Sequence, residues 1–458
     1  MIQMKTTIKL LLACLLLGTA SCEEMVEVDM PNNQLGTQQV FADAQTAYAA
    51  LSGLYSDLRT QSLLSGNNFG TGALLSSYAD ELDCYFNDLN GYEAIASNTQ
   101  LPTNSVIQTV WNNTYRQIYA ANAIIAGAEN AVGLSQVDRD QVIGEALTVR
   151  SLLYFNLQQL FGAVPYTRST DYELNRALTK TASAAVLSNL EADLSQAIGL
   201  LTDAYRDPSR IYPNRKVAEV VLLKVYMSQQ RYSEGEQVAL QILQSPDYQF
   251  QPDINQVFNY TGSHILWQIK PQYSGDSTQE ASFYYFDNAP PSAYALSENL
   301  IAAFEPGDLR RSLWVADVIA GGQQYYRPFK YKNLSGSNTT EYSVVMRLEE
   351  VYLLLAETLA MQNRVNEALP FLNATRERAG LAALELSSPT ALLDAILQEK
   401  RCEFFTEQGI RFTDLKRNGR LGELTLVKPN WEPHKSVWPY PQNELLLNTN
   451  LAPQNENY

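Results

Sequence analysis

A chain of 458 residues has room for a large core, and its formal charge of −16 excludes nucleic acid and anionic lipid surfaces as partners, because both demand a basic footprint. Only 2 histidines remove most zinc sites and most histidine acid–base chemistry. The 27 tyrosines supply flat apolar faces with polar tips, suited to sugar rings and peptide backbones alike.

The chain opens with Lys5 and Lys9, then an apolar run from Leu10 to Leu17, then the small residues Gly18, Thr19, Ala20 and Ser21. That order predicts a secretory signal over residues 1–21, too short for the ~20 residues of a membrane span. Cys22 follows directly and is predicted to become the acylated N-terminus of a lipoprotein. Cys14 has the better-placed leucine, but cleavage there leaves an apolar region of about four residues, below the 7–15 such signals use. A soluble secreted protein is the plain alternative. After cleavage Cys84 and Cys402 remain, too few for a disulfide framework or a four-thiolate site.

Helical periodicity then dominates three stretches. The first covers about 45–59, with Ala47, Ala50, Leu51, Leu54 and Leu58 on one stripe. The second covers 110–161, broken near Gly133 and closed by Gly162-Ala163-Val164-Pro165, glycine just past a helix with proline soon after. The third covers 184–243, broken between Asp203 and Pro213. Inside it, Val221, Leu222 and Tyr226, a turn at Gln230-Arg231-Tyr232, and Gly235, Ala239 and Leu243 form a helix–turn–helix of tetratricopeptide type, with Gly235 permitting close helix approach. Tyr352, Leu355 and Ala356, a turn at 362–365, and Ala368, Leu372 and Ala374 repeat that order.

Two stretches break the pattern. Residues 245–342 carry prolines at 246, 252, 271, 290, 291, 306 and 328, many aromatics, and short strands such as 265–269. Residues 62–103 are a smaller irregular stretch. Loops on a rigid frame are where binding residues lie. Two clusters there combine stacking rings with hydrogen-bonding groups. One holds Tyr78, Asp80, Glu81, Asp83, Tyr85, Phe86, Asn87 and Asp88; the other holds Tyr284, Tyr285, Phe286, Asp287, Asn288 and Tyr294. A pyranose stacks its axial hydrogens on such rings while amides and carboxylates fix its hydroxyls. We take Tyr78, Asp80, Asp83, Tyr85, Phe86, Tyr284, Tyr285, Asn288 and Tyr294 as candidate ligand-binding residues. Trp267 alternates with Ile265 and Ile269 and reads as a buried strand face, and Trp314 reads equally as packing under a loop.

Five blocks, in order, resemble the SusD/RagB family of surface lipoproteins from Bacteroidetes. They are Ala47–Tyr55; Arg150–Phe155 with Leu160–Pro165; Arg347–Glu357, continued by Arg376-Glu377-Arg378-Ala379-Gly380-Leu381; Glu399–Glu403 with Gly409–Arg417; and Trp438–Pro441 with the terminal Gln454–Tyr458. Lys400 stands where arginine is usual, and Ile410 replaces a frequent histidine. Glu23 and Glu24 after Cys22 resemble the signal that sends such lipoproteins to the outer face.

The resemblance implies a mainly α fold: a tetratricopeptide-like superhelix with an irregular, loop-rich ligand-binding part containing short strands. It implies one domain over 22–458, with an N-terminal part of about 22–225 and a C-terminal part of about 226–458. It also implies a lipid-anchored outer-membrane protein facing the cell surface, which captures oligosaccharides and passes them to a SusC-like TonB-dependent transporter. A peptide ligand is the alternative. Membrane contact would be through the N-terminal lipid alone, with no cofactor, metal or catalytic residue.

A tetratricopeptide adapter or a hydrolase are readings from other classes. No HExxH, GxSxG or phosphate-loop motif is present, and the glycines of 66–72 lack the lysine. Glu399, Arg401, Glu403, Arg411 and Asp414 could suggest carboxylate–arginine chemistry, but their spacing of three and four predicts ion pairs on and between helices.

Overall fold

The structure, a computed structural model, describes residues 37–458. The predicted signal and Cys22 lie outside the described residues.

Helices of eight residues or more are α1 (Ala44–Gln61), α2 (Thr71–Tyr78), α3 (Ser105–Glu129), α4 (Gln136–Phe161), α5 (Ser183–Leu200), α6 (Arg215–Ser228), α7 (Tyr232–Leu243), α8 (Leu348–Met361), α9 (Val365–Arg378), α10 (Pro389–Phe404) and α11 (Ile410–Arg417). Strands are β1 (Leu82–Cys84), β2 (Ile265–Ile269), β3 (Tyr294–Leu296), β4 (Val315–Ala320), β5 (Gln323–Pro328) and β6 (Ser343–Arg347). They pair as three separate antiparallel ribbons, β1–β3, β2–β6 and β4–β5. Among the described residues no helix is long and apolar enough to cross a membrane.

The helix starts follow local chemistry. Asp43, Asn104, Ser135 and Asn214 sit at N-caps and accept hydrogen bonds from first-turn amides, replacing partners that the helix itself cannot supply. Gly162, at φ 75, ends α4 in a conformation that a side chain would resist. From Val142 to Phe161, α4 is buried on nearly every face, so its charges need partners. Glu145 accepts from Arg206 at 2.8 Å and from the Tyr55 hydroxyl at 2.6 Å, and Arg150 meets Asp193 at 2.6 Å.

Helices α3 to α11 pack each against the next, as a tetratricopeptide-like superhelix requires. The two helix pairs legible in the sequence, α6–α7 and α8–α9, are stacked through α7 and α8, although about a hundred residues separate them in the chain. Their turns share one chemistry. Gln230 and Asn363 take left-handed φ of 58 and 62. Arg231 then bonds Glu234 at 2.9 Å and reaches back to Glu191 at 2.6 Å; Arg364 bonds Glu367 at 2.8 Å and reaches back to Glu236 at 2.6 Å. Each turn is thereby tied to the preceding helix pair. A Cβ on Gly235 would stand 3.2 Å from Thr358 Cγ2, so the expected close approach is made across the α7–α8 contact.

The five charged residues of the later family blocks lie in buried or largely buried ion pairs, as expected, although most of their partners are distant in sequence rather than three or four residues away. Glu403 receives Arg347 at 2.5 Å, Arg310 at 3.2 Å and Arg378 closer still. Glu399 takes Arg310 at 2.6 Å, and Asp414 takes Lys400 and Arg417 at 2.7 Å each. Arg310 belongs to the irregular part, so the cluster fastens that part to α10. Lys330, also from the irregular part, donates to Glu403 O and Phe405 O at 2.9 and 2.8 Å.

Apolar packing divides accordingly. One large core runs through the superhelix, and a smaller one fills the irregular part around Phe258, Ile265, Tyr284, Tyr294, Leu300, Trp314 and Phe405. Long loops that hold a fixed shape need such a satellite core. All five residues of β2 are buried, so Trp267 is core, and so is Trp314. One expectation needs correction: residues 71–78, placed in an irregular stretch, form α2, which is buried along its whole length. Its small residues Thr, Gly, Ala and Ser admit neighbours closely and hide any helical stripe. Cys84 and Cys402 are free thiols.

Candidate ligand-binding cleft

The two predicted clusters meet, although about two hundred residues separate them in sequence. β1 pairs with β3 in the register Leu82↔Leu296, Asp83↔Ala295 and Cys84↔Tyr294. Beside this ribbon stands the β4–β5 hairpin, turned at Gly321 and Gly322 with φ of 58 and 78, the two successive positive values that a two-residue turn of this hand demands. Between them opens a cleft of about 350 Å³.

Tyr85, Tyr325 and Tyr326 line it, with Tyr85 and Tyr325 meeting edge to face at 5.9 Å. Arg311 lies 5.2 Å from the centre of the Tyr326 ring. Polar groups come from Asp83, Glu298, Asn299, Gln324 and Lys428. Asn299 offers its oxygen to Arg401, which leaves its amide NH₂ without a partner among the described residues. Lys428 donates to Ser77 O and Ala96 O at 2.7 and 2.8 Å, and its ammonium has one further proton. Burial lowers the Lys428 pKa, opposed chiefly by the Asp83 carboxylate, and burial raises that of Asp83. Flat rings beside donors and acceptors of both kinds can stack a sugar face and bond its hydroxyls.

Of the nine candidate residues, Asp80, Asp83 and Tyr85 line this cleft. Asp83 is exposed and Tyr85 half-exposed, whereas Asp80 is sequestered. Burial pushes the Asp80 carboxyl up, but Arg411 at 2.9 Å and Arg401 at 3.0 Å overcome that and hold it below the ordinary range. Phe86 is half-buried, stacked on Tyr92 at 4.7 Å. Tyr285 and Asn288 do not line the cleft: Arg327 covers the Tyr285 ring at 4.5 Å, and Asn288 donates to Asp287 at 2.7 Å.

Three candidates are packing residues and present no face to a ligand. Tyr78 is fully buried, edge-on to Phe412, Trp431 and Trp438, with its hydroxyl donating to Lys435 O at 2.8 Å. Tyr284 and Tyr294 belong to the satellite core. Tyrosine richness in these loops therefore serves their own interior as well as their surface. Sequence reasoning missed Tyr325 and Tyr326 as lining residues. The signal was the Gly321-Gly322 pair between two short β-prone runs, which predicts a hairpin and sets which side chains share a face.

Comparison with known proteins decides the family. Residues 32–227 match a SusD-like family described as starch-binding and associating with the outer membrane, and residues 320–432 match the SusD family itself. The chain belongs to the SusD/RagB family. A SusD-like protein of Formosa agariphila is 25% identical, over 95% of each chain. A solved structure of a laminarin-binding SusD-like protein is 22% identical, with a TM-score of 0.77, and covers 91% of this chain and 100% of its own. The surface glycan-binding protein A of Bacteroides thetaiotaomicron, solved with laminarihexaose, is 18% identical, with a TM-score of 0.75 over 90% of this chain and 99% of its own. The tetratricopeptide-like fold is shared with these SusD proteins, and membership makes the chain a binding protein, not an enzyme.

Proposed function

We propose that this SusD-family chain captures oligosaccharides at the cell surface, held to the outer membrane by a lipid on Cys22, and hands them to a SusC-like TonB-dependent transporter. In this reading residues 22–458 act as one domain, and the cleft between the β1–β3 ribbon and the β4–β5 hairpin is the ligand site. One observation carries it: three tyrosines surround an open cleft whose amide, carboxylate and ammonium groups are only partly engaged within the protein. A laminarin-binding relative and one solved with laminarihexaose share the fold, which supports a neutral glucan as the first class to test.

Calorimetric titration with neutral gluco-oligosaccharides and with short peptides tests the ligand class. Saturable heat with a sugar, lost in Tyr85→Ala and Tyr325→Ala, supports glycan capture. Heat from peptides alone would move the assignment to peptide uptake. Co-purification of the lipidated chain with a TonB-dependent barrel from native membranes tests the delivery step.

A further inference from the structure

A second pocket, of about 240 Å³, lies where the end of α1 meets the residues after β2 and the turn at 276–282. Its chemistry differs from that of the cleft. Arg59, in the last turn of α1, donates Nε to Lys270 O at 2.9 Å. Its two terminal nitrogens have no hydrogen bond or ion pair among the described residues, whereas those of Arg116, Arg210 and Arg327 bond amide or carbonyl oxygens. The Lys270 ammonium also lacks a hydrogen bond or ion pair among the described residues, and Lys270 is exposed. In a chain of net charge −16, carboxylates were plentiful, yet among the described residues none forms an ion pair with Arg59 or Lys270.

The facing wall is made of hydroxyls: Ser277, Ser282, Ser335 and Ser343. Ser343 donates to Glu280 at 2.6 Å behind the wall, and burial pushes the Glu280 carboxyl up to about 7, which reduces its opposing charge. Asp276 is the carboxylate that lines the pocket, and its Oδ2 accepts from Tyr273 N at 3.1 Å. A guanidinium fork and an ammonium are the charged donors that a sulfate, phosphate or carboxylate requires. Ser277, Ser282 and Ser335 bond one another and Ser343 is engaged with Glu280, so the hydroxyls add at most about one or two further protons. The volume falls short of the ~300 Å³ at which pockets for drug-sized ligands begin, which suits a small group.

We propose that this pocket binds a small oxyanion, either free in solution or carried as a sulfate or carboxylate substituent on a sugar. The site shares no residue with the cleft, so its test stands whether or not the cleft holds a glycan.

The test titrates the purified full chain with sodium sulfate against sodium chloride at matched ionic strength, then with a sulfated oligosaccharide against its neutral parent. Melting temperature is the readout. Sulfate is expected to raise it saturably, with Arg59→Gln and Lys270→Gln each weakening apparent affinity by about tenfold, the scale of a lost charged hydrogen bond. Lys270→Gln changes an exposed side chain and keeps the carbonyl that Arg59 uses, so it separates binding from folding. Tighter binding of the sulfated sugar than of free sulfate assigns the pocket to a substituent; equal or weaker binding assigns it to the free ion. The proposal is overturned if matched chloride acts as strongly, if the sulfate shift survives both substitutions, or if Tyr85→Ala abolishes it.

Discussion

Arg411 Nη2 lies 2.9 Å from Asp80 Oδ2, and through this pair the last long helix of the superhelix grips the segment that carries the cleft. Arg401 of α10 holds the same oxygen at 3.0 Å. The cleft is therefore set on the rigid frame by a charge that two different helices share.

Removing that carboxylate leaves two largely buried arginines without a counter-ion. Asp80→Ala is expected to cost about 3–5 kcal/mol of stability. Asp83→Ala, three residues away and exposed, is expected to stay within about 0.5 kcal/mol while changing ligand affinity. Urea unfolding of the two variants checks this, and equal losses would mean that Asp80 is not the anchor described.

The tyrosines divide the same way. Tyr78→Ala and Tyr294→Ala empty a packed core and are expected to destabilise by about 3–5 kcal/mol, the range for large aromatics. Tyr85→Ala and Tyr325→Ala each remove a partly exposed ring, so the melting temperature is expected to change little. Their cost falls on sugar affinity, about 1–3 kcal/mol if stacking on the ring resembles that of other flat ligands on aromatics. Parallel thermal and calorimetric measurements separate the two groups.

The contribution of two buried carboxyls to stability is expected to fall as pH rises from about 4.3 to about 8. Burial pushes the carboxyls of Glu81 and Glu280 up to about 7 in the folded chain, whereas an unfolded glutamate titrates near 4.3. Below about pH 4.3 both states hold the proton and the contribution is complete; between there and about 7 the unfolded state gives it up first, and stability drains away. Glu280→Gln keeps an oxygen to accept from Ser343 and stays neutral, so it should be more stable than the parent at pH 8, by on the order of 3 kcal/mol at most, and close to it at pH 4. Denaturant unfolding at the two pH values reads the difference. Glu357, held near about 2 against its own burial by Arg417 and Lys400, acts in the opposite sense, and its contribution is lost only as pH falls below about 4.3 towards 2.

Gly235 sets the spacing of the two stacked helix pairs. A Cβ there would stand 3.2 Å from Thr358 Cγ2, close enough that the threonine must yield slightly. Gly235→Ala is expected to remain within about 1 kcal/mol, because the gain in helix propensity offsets the crowding. Gly235→Val should cost about 1–3 kcal/mol through overpacking. Melting curves of both variants test the contact.

The frame was legible because its signals are local. Periodicity located the long helices, and Gly162 agreed with the end of one. Glu399, Glu403 and Asp414 do lie in ion pairs rather than a reactive site, but most of their partners, Arg310, Arg347 and Arg378 among them, are distant in sequence. The cleft was legible only in part. Composition selected Asp83 and Tyr85, which line the cleft, but also Tyr78, Tyr284 and Tyr294, whose burial depends on contacts with residues far away in sequence. That Asp80 is held by two arginines was illegible for the same reason, since they lie more than three hundred positions later. Helix α2 escaped because its small residues leave no stripe to read.

The β1–β3 ribbon has only three residue pairs, yet it joins two segments encoded far apart in the gene into one wall of the cleft. On the proposed function, a change in one segment would alter what the cleft accepts while leaving the superhelix and its buried charges as they are.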